Sequence, residues 1–164
     1  MTLDVVPRVL VLAALAVLLL GVASRTARRA DPPPSPYCRG GDPLAGVYHP
    51  ARLKVRRRCV QETGTVTRVK LEDYDGDVHV TLATDKGESL VVEIVPQDRS
   101  RVPIPGEGMR VTVVGPRVYD TKHDWDEIHP AWWISAGRIV PASPRELERV
   151  RLLLTRGYAG TDAD

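Results

Sequence analysis

Apolar and polar residues alternate with a period of two through the middle of this chain, which predicts strands. The clearest case is residues 77–83, where Val78, Val80 and Leu82 mark one face and Asp77, His79 and Thr81 the other. Residues 63–71, rich in β-branched side chains, predict the first long strand. Residues 89–95, 109–118 and 127–134 predict the third, fourth and fifth. Asp75-Gly76 is a two-residue hairpin signal, and Lys86-Gly87 turns the chain again. Leu53, Val55, Cys59 and Val60 outline a lead-in segment whose other face is basic (Arg52, Lys54, Arg56, Arg58). Three consecutive strands, a Pro-rich crossing over 96–108 and a final pair predict a mainly β fold. The predicted form is a five-stranded OB-like Greek-key barrel over residues 37–142. A six-stranded sandwich that uses the Leu53 segment is the rival.

The alternation stops at both ends. Residues 9–23 carry no charge, with Arg8 before them and Arg25, Arg28 and Arg29 after. A bilayer crossing needs ~20 apolar residues and a signal-peptide core roughly 7–15. Residues 1–24 therefore predict a signal peptide or a transmembrane anchor, the alternative being a buried helix. Small residues at Ala23 and Ser24 resemble a cleavage site. Residues 25–36, with four prolines and no apolar period, predict an extended linker. At the other end, Ser143, Pro144 and Glu146 spell an N-cap with a capping box. Leu147, Val150 and Leu154 share a face and Gly157 supplies a stop, so 143–157 predicts a short helix. Residues 158–164 predict a disordered tail.

Roughly 120 residues between linker and tail suffice for one domain and its core. The net charge of +2 gives no compositional signal for nucleic-acid binding. Cys38 and Cys59, the two cysteines, follow the apolar run. A disulfide is the simplest reading, and closing its loop would contribute about 3 kcal/mol. Two buried free thiols are the alternative. Pairing points to the extracytoplasmic side, whereas arginines after the apolar run point the other way. The extracytoplasmic side is the expectation.

A series of short motifs runs through the same region: Cys38, residues 47–55 (VYHPARLKV), Cys59, 64–66 (GTV), 75–79 (DGDVH), 90–94 (LVVEI), Pro105-Gly106, 113–116 (VVGP) and 120–130 (DTKHDWDEIHP). Over residues 38–140 this series resembles an uncharacterised family of small exported or membrane-tethered OB-fold-like domains. Its most specific part is His-x-Trp-x-Glu-Ile-His-Pro, and relatives carry glycine where this chain has Asp124. The resemblance implies a fold and a cysteine pair, and no reaction.

Candidate chemistry gathers in two acidic loops, 72–77 and 120–127, which flank the ligand face of an OB barrel. Alternation places Ile128, Trp132 and Ile134 inward, and His79, Glu127, His129 and Trp133 outward. His79, His123, Glu127 and His129, with Asp120, are candidate ligands of a divalent metal such as zinc. The same set suits acid–base work in a metal-dependent hydrolase. Asp75, Asp77, Trp125 and Trp133 are candidate ligand-binding residues, Trp133 as a stacking platform. Plainer readings stand beside these: a hairpin turn at Asp75–Asp77, a structural His129, and a structural or protein-interaction module. Asp73, Asp75 and Asp77 do not form a calcium loop, since Val78 and Thr84 replace its glycine and glutamate. The acidic loops favour a cationic partner over nucleic acid. The basic segment at 52–58 suits anionic lipid headgroups or a solvated strand face. Nucleophile elbows, phosphate-binding glycine loops and Cys-x-x-Cys are absent from the sequence. A membrane-tethered binding domain is the resulting expectation.

Overall fold

The computed structural model describes residues 35–155 apart from Asp73. The apolar run, the linker through residue 34 and the residues after 155 therefore lie outside it. Among the described residues, no helix is long and apolar enough to cross a membrane.

The fold is mainly β. Its longest element, β1 (Leu53–Leu71), joins the predicted lead-in segment and first strand into one. Its first part pairs antiparallel with β4 (Arg110–Asp120), and its second part with β2 (Val78–Thr84). Gly64 and Thr65 are shared, Gly64 in register with both Thr84 and Val111. A Cβ there would stand 2.3 Å from the Ala83 carbonyl oxygen, so only glycine lets β1 pass between its two partners so closely. β2 continues antiparallel into β3 (Ser89–Ile94). β5 (Trp125–Ile128) lies parallel to β3 and antiparallel to β4. The order β1-β2-β3-β5-β4, with β4 back on β1, closes a ring of five strands. One closed ring leaves no place for the rival sandwich.

The predicted fifth strand is interrupted. After Ile128 the chain passes a cis His129–Pro130 peptide, and pairing resumes only at β6 (Trp133–Ile134), alongside Val113 and Val114 of β4. Gly115 of β4 makes room for this detour, since a Cβ there would lie 2.5 Å from the Pro130 carbonyl oxygen.

The inward residues of the strands, among them Val66, Val80, Leu82, Val92, Val113 and Ile128, form the main core. A second, smaller cluster joins Val47 and Leu53 to Val95 and Val118, with Leu44 against it. The segment before β1 thus covers part of the barrel's outer face. It is held by the Cys38–Cys59 disulfide and by Arg39, whose guanidinium lies 2.6 Å from buried Asp98. The pairing is compatible with an oxidising, extracytoplasmic location.

The C-terminal helix α1 (Pro144–Thr155) has the predicted capping box. Glu146 N–H donates to Ser143 Oγ at 3.2 Å, and Ser143 N–H donates to Glu146 Oε2 at 2.7 Å. Of the predicted apolar stripe only Val150 is buried; Leu147 and Leu154 are exposed.

Candidate metal centre

Strand pairing determines who meets here. His79 of β2 and Glu93 of β3 are direct cross-strand partners on the face opposite the core residues Val80, Val92 and Ile94. Asp77 sits one residue before β2, where its N–H donates to Asp75 Oδ1 at 3.1 Å and Gly76 takes a positive φ of 80°. Glu127 alternates with the core residue Ile128 on β5, in register with Val118 of the second cluster. His129 follows at the detour, with its N–H on the Pro116 carbonyl at 3.2 Å.

Asp77, Glu93 and His129 each bring one ligand atom within 4.8 Å of the other two, and all three are buried. The His129 ring is oriented from its Nδ1 side, with Glu93 Oε2 at 2.9 Å and Glu127 Oε1 at 3.1 Å. Both oxygens of Glu127 are engaged, because Trp125 Nε1–H donates to Oε2 at 2.8 Å. Two carboxyl oxygens facing Nδ1 favour a proton on that nitrogen. On the far side Nε2 lies 3.5 Å from Asp77 Oδ2, a distance too long for a hydrogen bond. His129 Nε2 and Asp77 Oδ2 are buried without a hydrogen-bond partner. His79 stands at the edge, about a quarter exposed, with Nε2 3.2 Å from Glu93 Oε1 and Nδ1 3.6 Å from Glu72.

Five buried or partly buried acids and bases so close cannot all be charged independently. Burial opposes charge on His129, but the Glu93 carboxylate and the hydrogen bonds of Glu127 and Glu93 hold the imidazole well above the usual histidine range. Burial would raise Glu93, and the His129 charge with its hydrogen bond outweighs that, leaving Glu93 well below the usual carboxylate range. Asp77 is raised well above it, chiefly by burial. Glu127 is raised for the same reason. Burial disfavours the charged form of His79, yet its contact with Glu93 raises it overall. Without a metal, an imidazolium beside the Glu93 carboxylate, with Asp77 biased by burial toward its protonated form, balances the cluster.

The same atoms suit a cation. An N,O donor set of one imidazole and two carboxylates matches zinc and other divalent transition ions. Metal–ligand bonds of about 2.0–2.2 Å place tetrahedral ligands roughly 3.3–3.6 Å apart, and the Asp77–His129 separation of 3.5 Å falls in that range. A metal-bound histidine ordinarily donates its second N–H to a carboxylate. Glu127, itself fixed by Trp125, accepts that bond here.

The predicted residues divide accordingly. His79 and His129 are at the cluster, and Asp77, predicted as a general ligand-binding residue, is inside it. Glu127 orients His129 and has no free oxygen to give a metal. The expected outward placement of Glu127 and His129 is corrected, since both are fully buried rather than in solvent. Alternation separates them correctly from the core, but the face they occupy is covered. His123 and Asp120 form a separate group: Asp120 Oδ2 lies 3.0 Å from both His123 Nδ1 and Arg52 Nε. Neither belongs to the converging triad. The His123 ring stacks on Trp125 at 4.7 Å. Trp133 is not an open platform, because Tyr37 stacks on it at 4.0 Å and 4°. Asp75 serves the turn before β2. Asp124 takes a φ of 61°, in the left-handed region that favours glycine.

Glu93 was missed. A lone glutamate in the apolar run Leu-Val-Val-Glu-Ile-Val is the signal that could have found it, because a charge in a buried strand needs a partner. No protein-family model matches the chain, and no curated protein matches it either.

Proposed function

We propose that this is a binding domain of OB type, tethered outside the cytoplasmic membrane, that holds one divalent transition ion through Asp77, Glu93 and His129. The strand order, with β3 parallel to β5 in a closed five-strand ring, supports the OB reading. The apolar run and the disulfide support the tethered, extracytoplasmic one. The observation that carries the metal reading is the convergence of buried Asp77, Glu93 and His129, each with one ligand atom within 4.8 Å of the other two, where Asp77 Oδ2 and His129 Nε2 have no hydrogen-bond partner. A buried polar atom without a partner costs about 1–3 kcal/mol, and a bound cation would relieve that cost. Glu127 and Trp125 then act as positioning residues for the His129 ring.

Thermal unfolding of the full chain with and without zinc tests this reading. A ligand that binds only the folded state at a hundred times its Kd adds about 2.7 kcal/mol. For a ~120-residue domain that is a rise of about 11 °C in Tm. Glu93→Gln should remove the rise and His123→Ala should retain it. An unchanged wild-type Tm at millimolar zinc, or a rise that survives Glu93→Gln, would contradict the site.

A further inference from the structure

The first part of β1 breaks the alternation that the rest of the barrel obeys. Lys54, Val55, Arg56, Arg57 and Arg58 are exposed one after another. The register against β4 shifts between Val55 and Arg57 and again between Arg57 and Val60. Such bulges turn successive side chains outward. They also set Arg57 directly opposite Arg117, and like charges across a strand pair are destabilising. Arg117 is taken up by Glu88 at 3.1 Å and Asp126 at 3.4 Å. Arg56 lies 3.8 Å from Asp126 and over the Tyr119 ring, and Arg58 donates to the Gly41 carbonyl. Among the described residues, no carboxylate pairs with Lys54 or Arg57. Lys54 and Arg57 therefore carry positive charge that no carboxylate of the described fold takes up, beside the exposed Arg56 and Arg58.

The stripe also lies beside the start of the folded unit. Cys59, next to Arg58, is bonded to Cys38. Only residues 24–34 separate the apolar run at 9–23 from the first described residue. Fully extended at about 3.3–3.6 Å per residue, they reach roughly 40 Å at most. They include three further arginines, Arg25, Arg28 and Arg29.

We propose that Lys54, Arg56, Arg57 and Arg58 dock the domain onto anionic lipid headgroups of the membrane that carries its tether. The inference rests on the tether reading above. Each basic side chain at an anionic surface multiplies partitioning by about fivefold, and exposed Val55 between Lys54 and Arg56 adds an apolar contact. The stripe lacks the row of aromatic platforms that a single-stranded nucleic acid would stack on.

The test uses the full chain in nanodiscs of phosphatidylcholine alone or with half phosphatidylglycerol. Lysine acylation by a soluble reagent is followed by peptide mass spectrometry. Lys54 should label several-fold more slowly in the anionic discs. Lys86, held by Glu62 at 2.7 Å, should label alike in both. High salt, or Arg57→Glu with Arg58→Glu, should restore Lys54 labelling. Equal Lys54 labelling in both discs overturns the proposal, as does protection by single-stranded oligonucleotide but not by anionic lipid. If the chain fails to co-elute with neutral discs, the tether reading falls. The stripe then stands if the chain still co-elutes with anionic discs, and falls if it does not.

Discussion

Replacing His129 with alanine tests the charge balance of the buried cluster. The substitution removes the imidazole that lies 2.9 Å from Glu93 Oε2 and 3.5 Å from Asp77 Oδ2. Glu93, fully buried, would then keep only edge contact with His79, about a quarter exposed. Removing one member of a buried ion pair costs about 3–5 kcal/mol, because the other charge stays desolvated and unpaired. With an unfolding entropy of about 2.1 cal/mol/K per residue over ~120 residues, 4 kcal/mol lowers Tm by about 16 °C. Circular-dichroism melts of the full chain in mild detergent with a chelator would measure this independently of metal. Glu93→Ala combined with His129→Ala should lose less than the sum of the two single variants, by about 1–3 kcal/mol. A His129→Ala variant within about 4 °C of wild type, or strictly additive effects, would refute the paired cluster.

Other consequences follow from the surrounding structure. Gly115→Ala should destabilise by about 1–3 kcal/mol in chemical denaturation and weaken zinc binding, because its Cβ would press on the Pro130 carbonyl at 2.5 Å beside His129. Ser143→Ala should cost about 1 kcal/mol through the lost helix cap. Glu146, held at a pKa of about 2 by its hydrogen bonds to Ser143, contributes stability that is fully present above its unfolded value near 4.5. That contribution should fade as pH falls toward 2, and urea midpoints across that window would show it. Replacing Cys38 and Cys59 together with alanine should cost about 3 kcal/mol, from a sequence separation of 21 residues, while zinc stoichiometry stays unchanged. A doubly substituted protein as stable as wild type would show that the segment before β1 is held by its other contacts alone.

Much of the fold is legible in the sequence because one face of each strand is apolar. Val78, Val80 and Leu82 point inward as their spacing requires, and the Ser143–Glu146 box forms as written. The unity of β1 is less legible. Its exposed basic half has no apolar period of its own, and it becomes strand through pairing with β4. The candidate site is legible in its residues and not in its surroundings. Alternation places His79, Glu127 and His129 off the core, but it cannot tell solvent from a second covering layer. Val47 and Leu53 join Val95 and Val118 off the main core only through contacts distant in sequence. The same limit misgroups His123, whose loop turns it to Asp120 and Arg52 instead. Glu93 reads as an interruption of a hydrophobic strand until His129 is brought against it.

Calorimetric titration of the full chain with zinc addresses the metal centre most directly, with Glu93→Gln and His123→Ala measured alongside and the fold of each verified by circular dichroism. One equivalent bound by wild type and by His123→Ala, and none by folded Glu93→Gln, is the predicted result. Binding that persists in Glu93→Gln, or disappears in His123→Ala, would move the metal away from Asp77, Glu93 and His129 and contradict the assignment.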